Sequence, residues 1–233
     1  MARSPGRTSI FHSAGDYSLG DELDPYVTHE GFPFIGKHVE TGCTLADFGC
    51  WGGRHLEGLR EIAGPDGKIL AIDGGWAFER LATLYAKPLV SADDSIVEVR
   101  IMGVSDLDEF DDGTIDGAIC WRVLHNLTEP GELERTLRGF NRVMVRGAPL
   151  LVATRAADGE LHDNDLSVPQ YCRSRPIEGG PERGDLYFTE AAVRTVFSAA
   201  GFRVEGVDAC EGHETVRGQR LSNRYWAARL RRR

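Results

Sequence analysis

The apolar positions along the chain switch between two periods. Short apolar runs bounded by glycine or aspartate predict buried strands over 45–49, 68–73, 115–124 and 148–154, and alternation of apolar with polar residues predicts another over 96–102. Between them, apolar residues recur at helical spacing: Leu56, Leu59 and Ile62; then Ala77, Leu81, Leu84 and Tyr85; then Leu133, Leu137, Phe140 and Met144. Gly64-Pro65-Asp66-Gly67 and Asp111-Asp112-Gly113 read as turns. Thr189 reads as the N-cap of a helix holding Ala192, Val193, Val196, Phe197 and Ala200, with Gly201 just past its end. Strands over 202–207 and 225–230 close the chain. Residues 156–188 are polar and rich in glycine and proline, have no period, and read as irregular.

Alternating strands and helices predict an α/β fold, doubly wound around a mostly parallel seven-stranded sheet. The last two strands have no helix between them, so a hairpin is expected and one strand runs antiparallel. The division expected is a leader and capping segment over 1–43, then a single domain over 44–233 with an insert or lid at 156–188.

Composition narrows the function. With 27 basic and 36 acidic residues the net charge is −9, which disfavours nucleic acid and anionic membranes as partners. The basic cluster Arg229, Arg231, Arg232 and Arg233 reads as a solvated tail. Cys43, Cys50, Cys120, Cys172 and Cys210 are odd in number and lack C-x-x-C spacing, as expected of free thiols in a reducing, cytoplasmic setting. No metal site is expected, and no apolar run is long enough to span a membrane.

Candidate chemistry gathers where the first strand ends, at Asp47-Phe48-Gly49-Cys50-Trp51-Gly52-Gly53-Arg54-His55. Glycines allow a tight turn and close approach of a ligand, and the helix that follows presents free N–H groups. Twenty residues beyond Gly53, Asp73 ends the second strand, where a carboxylate can accept hydrogen bonds from both hydroxyls of a ribose. A dinucleotide fingerprint needs glycines at the first, third and sixth positions of the turn; counted from Gly49, these are Gly49, Trp51 and Arg54, so it fails.

The chain instead resembles class I S-adenosylmethionine-dependent methyltransferases, with a Rossmann-like fold. Asp47, Gly49, Cys50 and Gly53 match the family's turn, and Trp51 stands where a middle glycine is commonest. The stretches IDGAICWRVLHNLTEPGELERTLRGFNRVMVRGAPLLV, YFTEAAVRTVFSAAGFRV and NRYWAARLRR resemble its later strands and helices. The resemblance implies S-adenosyl-L-methionine as cofactor, held by Asp47, Gly49, Cys50, Trp51, Gly53, Asp73, Gly74, Ser105, Asp106 and Cys120. Asp47 would face the cofactor's ammonium group. Trp51 fits if its backbone angles are ordinary.

The resemblance also implies methyl transfer to O, N, C or S of a small molecule, and the polar and aromatic groups of residues 156–188, expected as a lid with the leader, suit one that is cationic or polar. His125 is the candidate base, and Tyr17, Trp121, Arg122, Tyr171 and Tyr187 are candidate acceptor contacts. Bland readings stand beside these: His125 as a loop histidine, His55 as an exposed helix-start residue, Trp121 as packing. Two other functions remain open, a repurposed or non-catalytic cofactor-binding protein (a cyclase or partner subunit) and an NAD(P)-dependent oxidoreductase.

Overall fold

The computed structural model describes residues 17–18, 24–74, 96–157, 168–174, 183–216 and 219–233. The helix expected around Ala77 to Tyr85 lies outside the described residues. At the centre run five parallel strands: β2 (Thr44–Phe48), β3 (Lys68–Asp73), β4 (Val97–Ile101), β5 (Gly117–Trp121) and β6 (Pro149–Arg155). Beyond β6 come β10 (Gln219–Arg232) and β9 (Phe202–Val216), and a two-residue strand, β1 (Tyr17–Ser18), adds an eighth member. The order is β1-β9-β10-β6-β5-β2-β3-β4, with β10 antiparallel to both its neighbours. The strand order reverses between β2 and β5, and a ligand crevice forms beyond the carboxyl ends at such a point.

Strand periodicity divides the core into two layers. In β6, Leu150 and Val152 face one layer and Leu151 and Ala153 the other. The first layer is covered by α3 (Glu132–Val143) and α4 (Glu190–Ala199). Leu133, Leu137, Phe140 and Val143 form one stripe of α3, and Phe140 stacks on Phe48 at 4.2 Å. Thr189 caps α4 by accepting from the N–H of Ala192 at 3.0 Å, and Gly201 follows at φ +88°. The second layer is covered by α1 (Phe32–Gly36) and α2 (Leu56–Ala63).

Three expectations need correction. Within the insert, residues read as irregular form an antiparallel ribbon of β7 (Gln170–Ser174) and β8 (Arg183–Tyr187). Its alternation escaped notice because it is stabilised by backbone pairing and by one buried ion pair, with little apolar signal. The closing strands, expected over 202–207 and 225–230, run much further and project as a two-stranded arm past the sheet. An arm without a core needs no apolar face, so the pattern fell silent there. Finally, the leader is helical from Pro25 onward: a π-helical turn, Val27–Gly31, leads into α1, and Val27 and Ile35 are fully buried.

Candidate active site

The turn after β2 is drawn tightly to β3. The N–H groups of Gly49 and Cys50 both donate to the Ile72 carbonyl, at 2.7 and 3.1 Å. Gly49 has φ +81°, and a Cβ there would lie 2.2 Å from a methyl of Val123. No side chain fits that position. Gly53 has φ +78°. Trp51 lies at φ +46°, so the condition of ordinary backbone angles is not met. A non-glycine residue is held in the left-handed region only by its surroundings, and here the Trp51 N–H donates to Asp73 Oδ2 at 2.7 Å.

Asp73 thus sits at the carboxyl end of β3, accepting from Trp51 on one oxygen and from the Gly74 N–H on the other, also at 2.7 Å. Burial pushes its pKa up to about 6; the two N–H donors oppose the shift and nearby Asp47 adds to it. Ser105 and Asp106 form a loop after β4, with Ser105 half-buried and Asp106 exposed. Both belong to the same sheet edge as Asp73.

Asp47 is fully buried and does not stand free to meet a ligand on both oxygens. His55 Nδ1 lies 3.1 Å from Asp47 Oδ2, and a carboxylate there requires the proton on Nδ1. His55 is buried as well, at 2% exposure, rather than exposed. Asp47 Oδ1 and His55 Nε2 are buried with no partner among the described residues. The dyad spans the turn from strand to helix and was not foreseen, because spacing alone does not tell which residue of a helix's first turn points inward. Cys50 and Cys120 are closed into the core, and burial holds both thiols well above the usual range. They offer a ligand only their backbone.

Past β5 the chain turns sharply. Arg122 has φ +63°, and His125 follows in the short helical turn Leu124–Asn126, 3% exposed and 6.2 Å from the Tyr225 ring. Trp121 is buried and stacks on Tyr26 of the leader at 5.9 Å, in keeping with packing. The Arg122 guanidinium is taken by Asp24 at 2.5 Å, so it is not free as an acceptor contact. Asp24 itself carried no signal in the sequence. On β6, Arg155 pairs with buried Asp185 of β8 and lies 6.0 Å from the ring of half-buried Tyr187. The side chains of Tyr17 and Tyr171 lie outside the described residues. Among the described residues no group of three metal-ligating side chains converges, and no helix is long and apolar enough to cross a membrane.

Residues 46–152 match the family described as methyltransferase domain. Solved structures share the fold. A methyltransferase from Methanosarcina mazei is 20% identical, over 90% of this chain and 99% of its own, with a TM-score of 0.69. The 1,6-didemethyltoxoflavin-N1-methyltransferase of Burkholderia thailandensis, solved with bound 1,6-didemethyltoxoflavin and S-adenosylhomocysteine, is 17% identical over 88% of this chain and 78% of its own, with a TM-score of 0.60. A methyltransferase from Aquifex aeolicus is 19% identical over 89% and 93%, with a TM-score of 0.56. No curated protein matches. Residues 46–152 are thus similar to a methyltransferase domain, and the chain shares the Rossmann-like fold of these structures.

The residues present fit S-adenosylmethionine, the cofactor that the resemblance implies. The turn closes only with glycine at position 49, and Asp73 ends β3 with a carboxylate already oriented by two N–H donors. The raised pKa of Asp73 has a consequence for binding. Hydroxyl groups donate to the ionised carboxylate, which is lost as pH falls through about 6. Affinity for S-adenosylhomocysteine should hold from pH 7 to 8 and fall about tenfold per unit below that pKa. Calorimetry from pH 5 to 8 checks this; a flat profile would show that the carboxylate is not engaged.

Proposed function

We propose that the protein methylates a small polar molecule in a chamber at the carboxyl edge of β5 and β6, beside Tyr225 of the antiparallel β10. The observation that carries this reading is the convergence of three covers on that edge. The leader arrives at Asp24, the β7–β8 ribbon docks on the Leu124–Asn126 turn, and the β9–β10 arm projects past Tyr225. Phe188, just after β8, bonds both ways with β6: its N–H donates to the Arg155 carbonyl, and its own carbonyl accepts from Ala157, each at 2.9 Å. Trp226 Nε1 also donates to the Phe188 carbonyl at 2.9 Å. These bonds support residues 156–188 as a lid, with the leader as a second cover.

When bound, the cofactor supplies a methyl group already activated on a sulfonium. What remains for the chain is to hold an in-line nucleophile and exclude water. Asp73 and the turn around Gly49 and Gly53 orient the cofactor. His125, in the turn under the ribbon, takes a proton from acceptors still protonated at neutral pH. Arg122 and Arg155 each meet a carboxylate, so neither offers an unpaired charge, and this favours a polar acceptor over an anionic one. A net charge of −9 argues against DNA or RNA as acceptor. The free thiols of Cys43, Cys50, Cys120 and Cys210 suit the cytoplasm.

A thermal-shift series separates the readings. At about a hundred times the dissociation constant, S-adenosylmethionine and S-adenosylhomocysteine should raise the melting temperature by about 5–10 °C, with no effect from NAD or NADP. A rise with NAD or NADP alone would overturn methyl transfer.

A further inference from the structure

Leader, sheet and arm meet at the side chain of Arg122. Its Nη2 lies 2.5 Å from Asp24 Oδ2, and both side chains are about 95% buried, at 5% and 4% exposure. The guanidinium carbon lies 4.5 Å from the centre of the Tyr225 ring, on β10. Opposite, on β9, Gly212 leaves the space the guanidinium fills: a Cβ there would stand 1.8 Å from Nη2. The backbone of Arg122 is itself left-handed, at φ +63°, a conformation that costs energy outside glycine. A bulky residue strained at its backbone, with its charge withdrawn from water, is costly to keep. The cost is offset by contacts that join three separate parts of the chain.

We infer that Arg122 is a positioning residue: it couples the leader to the β9–β10 arm, so that the two walls of the acceptor chamber are set together. The inference rests on the proposed methyl-transfer reading only for the word acceptor; the coupling itself is a property of the fold. Other contacts follow the same path. Tyr26 donates its hydroxyl to Asp208 Oδ2 of β9 at 2.6 Å while stacking on Trp121, next to Arg122. Arg229 of β10 reaches the same Asp208 at 3.0 Å and Glu30 of the leader at 3.5 Å. These tethers hold the leader at Tyr26 and Glu30, whereas Arg122 holds it at Asp24.

The test uses Gly212→Ala, which leaves Arg122 and Asp24 unchanged but pushes the guanidinium away. Amide hydrogen exchange is followed in the full-length protein across residues 24–36 and 202–216. If Arg122 couples the walls, exchange in the leader speeds up by about tenfold or more, although Gly212 lies on another element. S-adenosylhomocysteine affinity stays within about threefold of the unmodified protein, because the cofactor turn is not touched. Should Gly212→Ala loosen the arm and leave the leader unchanged, the inference is overturned. Should that variant fail to fold, Asp24→Asn gives the reciprocal reading. Coupling then predicts faster exchange on β9 around Gly212, and unchanged exchange there overturns it. Failure of the unmodified protein to bind S-adenosylhomocysteine would remove the methyl-transfer reading and leave both exchange results standing.

Discussion

Asp185→Ala is expected to destabilise the protein by about 3–5 kcal/mol, the usual cost of leaving one charge of a buried pair alone. Asp185 is fully buried and Arg155 is 9% exposed at the end of β6, so the guanidinium has little water to fall back on. The pair links the ribbon to the sheet through side chains, where the bonds of Phe188 link it through the backbone. The loss should therefore appear as a lower urea midpoint together with faster exchange across 183–188. Asp185→Asn should lose less, because one acceptor oxygen remains. A midpoint unchanged in Asp185→Ala would mean that the Arg155–Asp185 pair does not anchor the ribbon on β6.

Asp73→Ala is expected to weaken S-adenosylhomocysteine binding by about 1.5–3 kcal/mol, roughly tenfold to 150-fold, the usual worth of hydrogen bonds to a charged group. The carboxylate has two tasks. It orients the turn through Trp51 and Gly74, and it ends β3 where a ribose would sit. Alanine removes both, leaving the Trp51 N–H without the acceptor that supports its left-handed backbone. The expected loss lies at the upper end of the range if the turn relaxes, and calorimetry measures it directly. Unchanged affinity would remove Asp73 from the cofactor site.

Much of this architecture was legible from apolar periodicity. The five parallel strands, the stripes of α2 and α3, and the cap and stop of α4 at Thr189 and Gly201 are all local signals that tertiary packing reinforces. The ends of the β9–β10 arm were not legible, since strands that pair away from a core have no reason to alternate. The leader helix was missed for another reason. Only Val27 and Ile35 are fully buried in it, and its attachments at Asp24, Tyr26 and Glu30 are polar partners far away in sequence.

At the site, the glycines and Asp73 could be named because their role follows from the turn itself. The pairing of Asp47 with His55, and of Arg122 with Asp24, depends on which way side chains point after the chain has folded. For that reason Arg122 was read as an acceptor contact, while its partner across 98 positions went unnoticed.

In the proposed reaction this chain holds S-adenosylmethionine at the turn between β2 and α2 and delivers its methyl group to the edge of β5. A crystal structure of the protein with S-adenosylhomocysteine tests it most directly. The account predicts both ribose hydroxyls within hydrogen-bond distance of the Asp73 carboxylate, the amino-acid end of the ligand beside the Gly49–Gly53 turn, and its sulfur facing the Arg122–His125 segment. Ligand bound elsewhere, or a site that remains empty at millimolar concentration in well-folded protein, would contradict it.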